Sequence, residues 1–418
     1  MRDYLTNYQM ILRGDTPKGF IKDDFWIIPS DWEKNKMKDI LEERKEYTTD
    51  QDTYPLFSLT IEKGIVEKTD RYERQYLVTK DGDNYKVVYE NDFVYNPMNI
   101  RFGAVALHKL RYPVSVSAYY NTFYIKNGYN PRFIEYFLQS FRMLHFYNKY
   151  AEGSLIEKRR LHYSVLLEYS FSFPPIFEQN RIIEILSTWD KAIELKEKLI
   201  DEKKKQKTGL MQKLLTGKVR LPGFIGEWKE VKLGKVIREI NDKTTENNQY
   251  QVLTSSRQGI FLQEEYFNKS VASSNNIGYK IIKKGQFTYR TMSDDGSFKF
   301  NRLMEYENGI VSPAYVVFEA IKINPVFLMN LMNDYSFNKH IQKETQGGTR
   351  LSLKYNSLKE FVIKIPSIEE QDAIANVLNT VDKVIELNQK ELEEIKLQKK
   401  GLMQLLLTGI VRVYSQEN

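Results

Sequence analysis

The chain has 418 residues, of which 41% are hydrophobic and 28% are charged, a composition typical of a chain with two globular domains rather than a disordered one. Cysteine is absent, which excludes disulfides and thiolate metal sites, and neither a signal-like N-terminus nor an apolar run of about 18 residues predicts secretion or membrane insertion. The formal net charge of +7 is compatible with a nucleic-acid partner and equally with a merely basic surface, and the absence of cysteine is compatible with a reducing cytoplasm.

The predicted elements occur in the same order in two parts of the chain. Runs rich in aromatic and β-branched residues predict strands at residues 56–60, 87–89, 93–95 and 119–125, and again at 287–289 and 314–318. An Asn-Pro step before an apolar-periodic run predicts helices at 133–146 and 327–337. We therefore expect two α/β domains of the α+β type, each with a twisted, mostly antiparallel sheet and a few helices.

A strong internal repeat follows each domain. Residues 174–220 align without gaps on residues 366–412, and 27 of 47 positions are identical. Each copy carries Glu-Gln near its start and ends in Gly-Leu-Met-Gln followed by Leu-Leu-Thr-Gly. The preceding domains correspond more loosely, for example at Trp32 and Trp228. A near-constant helical segment after a diverged domain indicates a fixed frame that presents two different binding domains.

Both repeat copies show the apolar spacing of a heptad seam. The seam positions of the first copy are 182, 186, 189, 193, 196, 200, 203, 207, 210 and 214, and the second copy has the same register from 374 to 406. We expect the polar residues within the two seams to fix the register: Lys196, Lys203, Asn388 and Lys399. Two long helices that form an antiparallel coiled coil between the domains are favoured over helices that pack only on their own domains.

Capping signals mark the ends of these helices. Pro174 and Pro175 cannot lie inside a helix, residues 367–370 form a Ser-x-x-Glu capping box, and Gly217 and Gly409 suit positions just beyond a C-terminus. Each helix is then about 38 residues long, or roughly 57 Å. The predicted segments are a first domain at 1–175, a helix at 176–217, a second domain at 218–366, a helix at 367–409 and a tail at 410–418.

This order of two variable domains and two near-identical helical regions resembles the specificity subunits of type I restriction-modification systems (HsdS). The resemblance extends over nearly the whole chain and is most specific at residues 173–179, at residues 365–371 and in the two Gly-Leu-Met-Gln endings. It implies two target-recognition domains that read a bipartite DNA site, an unspecified gap set by the helices, and a pseudo-twofold internal repeat.

The resemblance also implies partners and cofactors. The chain would bind double-stranded DNA, two methyltransferase subunits (HsdM) and, through them, restriction and translocation subunits (HsdR). S-adenosylmethionine would belong to the methyltransferase subunits, and ATP and Mg²⁺ to the restriction subunits, so we expect no cofactor in this chain. The implied compartment is a prokaryotic cytoplasm.

The sequence contains no recognisable catalytic motif. Walker A, Gly-x-Gly-x-x-Gly and His-Glu-x-x-His patterns are missing, and the four histidines lack metal-ligand spacing. Residues 95–98 are only faintly similar to a methylase loop, and the Asp-Asp-Gly at 294–296 is typical of a turn. We therefore expect a non-catalytic recognition subunit. The alternative is a coiled-coil scaffold whose basic lobes bind protein or RNA.

Candidate DNA contacts are polar or basic residues in predicted loops and strand ends. In the first domain they are Lys63, Asn96, Arg101, Lys158, Arg159 and Arg160. In the second domain they are Ser256, Arg257, Arg290, Thr291, Ser297, Lys299, Arg350 and Lys354. Arginine suits guanine O6 and N7, asparagine suits adenine, and lysine mostly meets phosphate. Arg257, Arg290 and Asn96 are therefore the predicted base readers, and a basic solvated surface is the competing interpretation.

Overall fold

The computed structural model describes residues 2–23, 26–68, 84–155, 159–267, 275–344 and 351–413. The chain folds into two compact units: the first comprises Met1–Lys196 with Glu391–Asn418, and the second comprises Glu197–Lys390. Both boundaries fall inside a long helix. Each unit therefore contains one globular domain and a part of both long helices.

The first unit begins with short helices and strands that precede the first long helix. Its helices are α1 (Arg2–Leu12), α2 (Met37–Ile40), α3 (Pro131–Leu138), α4 (Phe141–Tyr150), α5 (Tyr163–Glu168) and the start of α6 (Ile176–Leu214), with a short 3-10 helix at Ile100–Phe102. Its strands are β1 (Phe20–Lys22), β2 (Ile27–Pro29), β3 (Glu33–Lys36), β4 (Leu41–Glu43), β5 (Tyr47–Thr48), β6 (Phe57–Thr60), β7 (Gly64–Glu67), β8 (Tyr85–Val88), β9 (Phe93–Tyr95), β10 (Val105–Leu107), β11 (Val114–Ser117), β12 (Asn121–Ile125) and β13 (Ser170–Phe173).

The strands of the first unit are divided among several small sheets. A four-stranded sheet has the order β10-β9-β12-β4, a three-stranded sheet has the order β11-β8-β5, and β1-β2, β6-β7 and β13-β3 form pairs. All these pairings are antiparallel. The predicted antiparallel pairing is thus confirmed.

The second unit repeats the same plan. Its strands are β14 (Lys229–Lys232), β15 (Ile237–Ile240), β16 (Leu253–Ser256), β17 (Gly259–Leu262), β18 (Lys280–Lys283), β19 (Phe287–Arg290), β20 (Met292–Ser293), β21 (Asn301–Arg302), β22 (Asn308–Val311), β23 (Tyr315–Ala320), β24 (Leu351–Ser352) and β25 (Val362–Ile365). Its helices are α7 (Gln263–Phe267), α8 (Pro325–Asn333), α9 (Tyr335–Glu344), α10 (Tyr355–Leu358) and the start of α11 (Ile368–Leu407). Strands β15-β23-β19-β21 form a four-stranded antiparallel sheet like that of the first unit.

The main core of each domain extends onto the long helices. In the first unit, the stacked rings of Phe93 and Phe123 belong to a cluster that also contains Ile182 and Leu406. In the second unit, the corresponding cluster contains Leu214, Leu215, Ile374 and Leu378. A second, smaller cluster lies on the other face of each four-stranded sheet, with Val94 in the first unit and Val317 in the second. The helices therefore stabilise the domains through shared apolar burial.

Two predicted helices are each two helices in the structure. The run at 133–146 is α3 and α4, because Ser140 accepts a hydrogen bond from the Met143 N–H and begins a new helix. The run at 327–337 is α8 and α9, because Asp334 accepts from the Ser336 N–H. A capping side chain at the junction satisfies free backbone donors and redirects the chain.

The two long helices have 39 and 40 residues, and the predicted heptad seam is confirmed. Every predicted seam position of α6 and α11 is buried or half-buried, whereas most of the other positions between them are exposed. Among the described helices, none combines the length and apolar composition that are needed to span a lipid bilayer.

Ion pairs fix the antiparallel register of the helices within each unit. In the first unit, Asp190 pairs with Lys399 and Lys196 pairs with Glu391. In the second unit, Lys207 pairs with Asp382. The Lys196 and Lys399 side chains are only 14% and 18% exposed, so their predicted role in register is supported by cross-helix contacts. The other two predicted polar residues, Lys203 and Asn388, bond within their own helices instead.

In each unit, an arginine that follows one long helix pairs with a buried glutamate at the start of the other long helix, at equivalent repeat positions. Arg412 donates from Nε and Nη2 to Glu178, at 2.8 and 2.9 Å, and also binds Asp31. Arg220 donates to both oxygens of Glu370 at 2.6 Å. The predicted capping box is therefore only half formed, since Ser367 accepts from the Glu370 N–H while the carboxylate of Glu370 binds arginine.

A buried glutamine at the start of each long helix holds the neighbouring domain. Gln179 accepts from the Asn130 N–H at 2.9 Å, and Gln371 accepts from the Asn324 N–H at the same distance. Asn130 and Asn324 in turn cap α3 and α8. These contacts explain why Glu-Gln recurs in both repeat copies.

The glycines beyond the long helices have left-handed backbones, as predicted for their positions. Gly217 and Gly409 both have φ +68°. A Cβ at residue 409 would lie 2.3 Å from Pro29 Cγ and 2.9 Å from Trp32 Cζ2, whereas a Cβ at residue 217 would lie 3.3 Å from Trp228. Both positions therefore favour glycine, and residue 409 is the more crowded.

Candidate nucleic-acid interface

A concave surface of about 920 Å³ lies at the end of the second unit's sheets. It is bordered by the tip of the β16-β17 hairpin, helix α7, the turn after β20 and the start of β23. Its lining combines hydrogen-bonding residues with aromatic rings: Thr254, Ser255, Ser256, Arg257, Gln258, Gln263, Tyr266, Phe267, Tyr279, Arg290, Met292, Ser293, Asp294, Asp295, Ser297, Phe298, Lys299, Ser312, Ala314 and Tyr315. We call this surface the second-unit groove. It brings together five of the eight residues predicted for the second domain: Ser256, Arg257, Arg290, Ser297 and Lys299.

Arg257 stands at the hairpin tip and is held by a neighbouring turn. Its side chain is 72% exposed, and its Nη2 donates to Asp295 and to Ser297 Oγ. Ser256 shapes the tip, since its Oγ accepts from the Gln258 N–H. The hairpin therefore directs a cationic, planar donor group into the groove.

Asp295 forms the predicted turn and also supports Arg257. Its Oδ1 accepts from the Ser297 N–H at 3.1 Å, from Ser297 Oγ at 2.8 Å and from Ser293 Oγ at 3.0 Å. The hydrogen bonds from Ser297, together with those from Arg257 and Ser293, hold the pKa of the Asp295 carboxyl well below its usual range. Gly296 has φ +76°, and a Cβ there would lie 2.7 Å from Leu351, so the turn requires glycine. The sequence predicted the turn but not the ion pair between Asp295 and Arg257, because the two residues are 38 positions apart.

The other cationic residues of the second-unit groove differ in their surroundings. Arg290 ends β19 and is exposed, and no hydrogen bond or ion pair engages its guanidinium among the described residues. Lys299 is also exposed at the surface. Neighbouring protein atoms nevertheless displace part of the water around its ammonium group, and this desolvation, followed by the like charge of Lys207, lowers its pKa. Both side chains add positive charge to the groove.

The remaining second-domain candidates lie outside the groove lining. Thr291 is adjacent to it but donates from Oγ1 and from N–H to the Ala314 carbonyl. Lys354 is exposed at the start of α10. Arg350 falls outside the described residues.

The first unit has a smaller concave surface, of about 400 Å³, beside the start of β12. Its lining is Glu43, Pro97, Tyr119, Asn121, Arg160, His162, Tyr163, Ser164 and Leu167. The Leu161 N–H donates to the Pro97 carbonyl at 3.0 Å, as the Leu353 N–H donates to the Thr291 carbonyl at 2.8 Å. The two concave surfaces share one equivalent lining position, Tyr119 and Tyr315, while the rest of each lining differs; we call the smaller surface the first-unit groove.

Two first-domain candidates are buried in structural roles. Asn96 is 7% exposed, and its Oδ1 accepts from the N–H groups of Met98 and Asn99. Arg101 is 7% exposed within the 3-10 helix, with its guanidinium over the Phe102 ring. Neither side chain faces solvent as the sequence suggested, because Asn96 closes its own turn and Arg101 is covered by packing.

The other first-domain candidates lie at the surface. Arg160 lines the first-unit groove, and Arg159 is exposed beside it. Lys63 is exposed at the tip of the β6-β7 hairpin, where it borders a separate cavity of about 500 Å³ that is lined by both cationic and acidic side chains. Lys158 falls outside the described residues. Among the described residues, no cluster of three or more His, Asp or Glu side chains could hold a metal ion.

Comparison with known proteins agrees with the internal repeat. The family described as type I restriction modification DNA specificity domain matches twice, at residues 29–204 and 225–397. A putative type I restriction enzyme specificity subunit from Methanocaldococcus jannaschii, MjaX, is 26% identical over 95% of this chain and 97% of its own length. The MjaVIII specificity subunit of the same organism is 30% identical over 57% of this chain and 61% of its own length.

A solved structure supports the same fold. One chain from work on the complex assembly and conformational transition of a type I restriction-modification system has a TM-score of 0.58 at 15% identity. The match covers 92% of this chain and 99% of that chain. Because the family match covers most of the chain in two consecutive copies, this protein belongs to the type I restriction-modification DNA specificity family and is a DNA sequence-specificity subunit.

Proposed function

We propose that each unit reads one half of a bipartite, gapped DNA site through its concave groove. The observation that supports this most directly is that equivalent strand ends of the two units carry different side chains. Arg290, the last residue of β19, lines the second-unit groove, whereas its repeat equivalent Asn96, which follows β9, is buried. Different donors and acceptors on a common frame suit two different half-sites.

The cationic and hydrogen-bonding side chains of the grooves suit double-stranded DNA as the ligand. Three cations outnumber two carboxylates in the lining of the second-unit groove: Arg257, Arg290 and Lys299 against Asp294 and Asp295. In the first-unit groove, Arg160 lies in the same lining as Glu43. Hydroxyl groups and aromatic rings lie between these cations in the second-unit groove. Cations fix a protein on the phosphate backbone, while side-chain donors and acceptors discriminate base edges. The proposed contacts are therefore Arg159 and Arg160 in the first unit and the five groove residues in the second.

We further propose that two copies of one methyltransferase subunit bind the long helices. Ile176 and Ile368 occupy equivalent repeat positions and are each 44% exposed. Leu195 and Leu387 are also equivalent, and are 54% and 63% exposed. Large apolar side chains exposed at the same positions of both copies suit two identical partner surfaces.

The proposed division of labour leaves chemistry to the partner subunits. The methyltransferase subunits would carry S-adenosylmethionine, and restriction subunits would carry ATP and Mg²⁺. This chain would act in the cytoplasm of a prokaryotic cell, where it would set the sequence at which those subunits work.

Selection from a randomised DNA library tests this function. The complex of this chain with its methyltransferase partner should enrich two short sequence blocks separated by an unspecified stretch of fixed length. Arg160→Ala should weaken only one block, and Arg290→Ala only the other, while higher salt should weaken binding to all sequences. A single continuous block, or no enriched sequence, would overturn the proposal. Enrichment of RNA or binding only to protein would favour the scaffold alternative.

A further inference from the structure

The turn that supports Arg257 gives the second-unit groove a specific donor and acceptor pattern. We propose that Arg257 reads a guanine in the half-site of the second unit and that Asp295 is the positioning residue that orients it. This inference rests on the proposed DNA-reading function. Beyond that function, it identifies the base pair that is read and assigns Asp295 the role of orienting Arg257.

The guanidinium of Arg257 retains donors for a ligand. Its contacts with Asp295 and Ser297 both involve Nη2, so the N–H groups of Nε and Nη1 have no partner among the described residues. Guanine O6 and N7 accept two parallel N–H bonds from an arginine fork. A guanine that displaced the neutral Ser297 hydroxyl would receive one bond from Nη1 and one from Nη2, while Asp295 kept its own bond to Nη2.

The Asp295 carboxylate is itself fixed before DNA binds. Its Oδ1 accepts three hydrogen bonds from Ser293 and Ser297, and the low pKa of this carboxyl keeps it ionised at neutral pH. An exposed arginine loses conformational freedom when it binds a base. Because Asp295 already restricts Arg257, part of this entropy loss is incurred during folding rather than during binding.

The carboxylate also distinguishes a base contact from a phosphate contact. A phosphate bound to Arg257 would lie close to the negative charge of Asp295 and would be repelled by it. A G·C pair presents instead two acceptors on guanine and an N4 amino donor on cytosine. Asp295 Oδ2 bonds only Arg257 among the described residues, so it retains capacity to accept from that amino group. The Arg257–Asp295 pair therefore complements a G·C pair.

Four variants of the chain, each in complex with the methyltransferase partner, test this inference. Library selection first defines the wild-type half-sites, and competition binding then measures the preference at each base pair. Arg257→Ala should reduce the preference for G·C at one position of the second half-site by between about fivefold and about 150-fold. Arg257→Lys should give a similar loss, because lysine keeps the charge but lacks the planar fork. Asp295→Asn should reduce preference at the same position.

Arg238→Ala is the matched control. Arg238 is another exposed arginine of the second unit, 67% exposed and paired with Glu319, but it lies outside the groove lining. This variant should leave every position of both half-sites unchanged. An intact first half-site shows in every variant that the complex has assembled and folded.

Several results would overturn the inference while leaving the proposed function in place. One is a wild-type second half-site without a G·C pair. Another is an Arg257→Ala variant whose affinity falls by the same factor for every sequence. The dependence of log affinity on log salt concentration would then also decrease in slope by about one, as a lost phosphate contact requires. Full G·C preference in Asp295→Asn would remove the positioning role. If wild type enriches no half-sites at all, the proposed function itself fails.

Discussion

Removal of Arg412 should destabilise the first unit strongly, because it leaves a buried carboxylate without its counter-charge. Glu178 is 0% exposed, and Arg412 is 12% exposed. Breaking a buried ion pair by removing one partner typically costs about 3–5 kcal/mol, most of which reflects the desolvated charge that remains. Arg412 also binds Asp31, but the Asp31 side chain is 51% exposed and adds little. We expect Arg412→Ala to lower the free energy of unfolding of the first unit by about 3–5 kcal/mol.

The repeat supplies a matched variant for this experiment. Arg220 binds the equivalent Glu370, which is 2% exposed, but Arg220 itself is 26% exposed. Because water reaches this pair more easily, Arg220→Ala should cost less, about 2–4 kcal/mol, and should act on the second unit. Replacing Glu178 and Arg412 together by methionine should recover most of the loss, since no buried charge is then unpaired.

Hydrogen exchange followed by mass spectrometry measures these effects separately in each unit. A loss of 3–5 kcal/mol corresponds to protection factors that fall by between about 150-fold and about 5000-fold. In Arg412→Ala this fall should affect core peptides of the first unit and leave those of the second unchanged. A loss below about 1 kcal/mol, as found for exposed ion pairs, would refute the reasoning, and so would an equal loss in both units.

Three further predictions concern the ends and faces of the long helices. Gly409→Ala should lower the melting temperature more than Gly217→Ala, because the added Cβ lies 2.3 Å from its nearest neighbour at 409 and 3.3 Å at 217; equal shifts in calorimetry would contradict this. The hydrogen bond from Arg412 lowers the pKa of Asp31. Asp31 therefore adds to the free energy of unfolding above its unfolded pKa of about 3.9, and this stabilisation is lost as the pH falls through the lower folded pKa. Acid unfolding of Asp31→Asn, followed by circular dichroism, should lack that loss. Leu195→Glu and Leu387→Glu should each reduce the bound methyltransferase from two copies to one in native mass spectrometry, and two retained copies would exclude these leucines from the interface.

The periodic parts of the structure could be predicted from the sequence, because burial imposes a regular spacing. The heptad seam predicted α6 and α11 and their register, and the predicted strands were confirmed within a few residues. The breaks at Ser140 and Asp334 were missed, since apolar periodicity continues through both positions while a single capping side chain starts a new helix. Long-range pairs such as Arg412 with Glu178 were not visible in the local pattern either.

The candidate site was only partly predictable because side-chain length and local turns decide which residues reach solvent. Arg290 and Asn96 occupy equivalent positions at the end of the same strand of the repeat, but the short asparagine side chain bonds its own turn. Arg257 was predicted from residue type, yet its orientation depends on Asp295, which a different loop contributes. Residue type therefore predicted the second-unit groove better than the first-unit groove.

The most direct test of the central claim is sequencing of N6-methyladenine in DNA from a host that expresses this chain with its methyltransferase partner. A host with the methyltransferase alone is the control. We expect one gapped, asymmetric motif that appears only when this chain is present and contains two short half-sites. Methylation that is unchanged by this chain, despite an assembled complex and an active methyltransferase, would contradict its role as the subunit that reads DNA sequence.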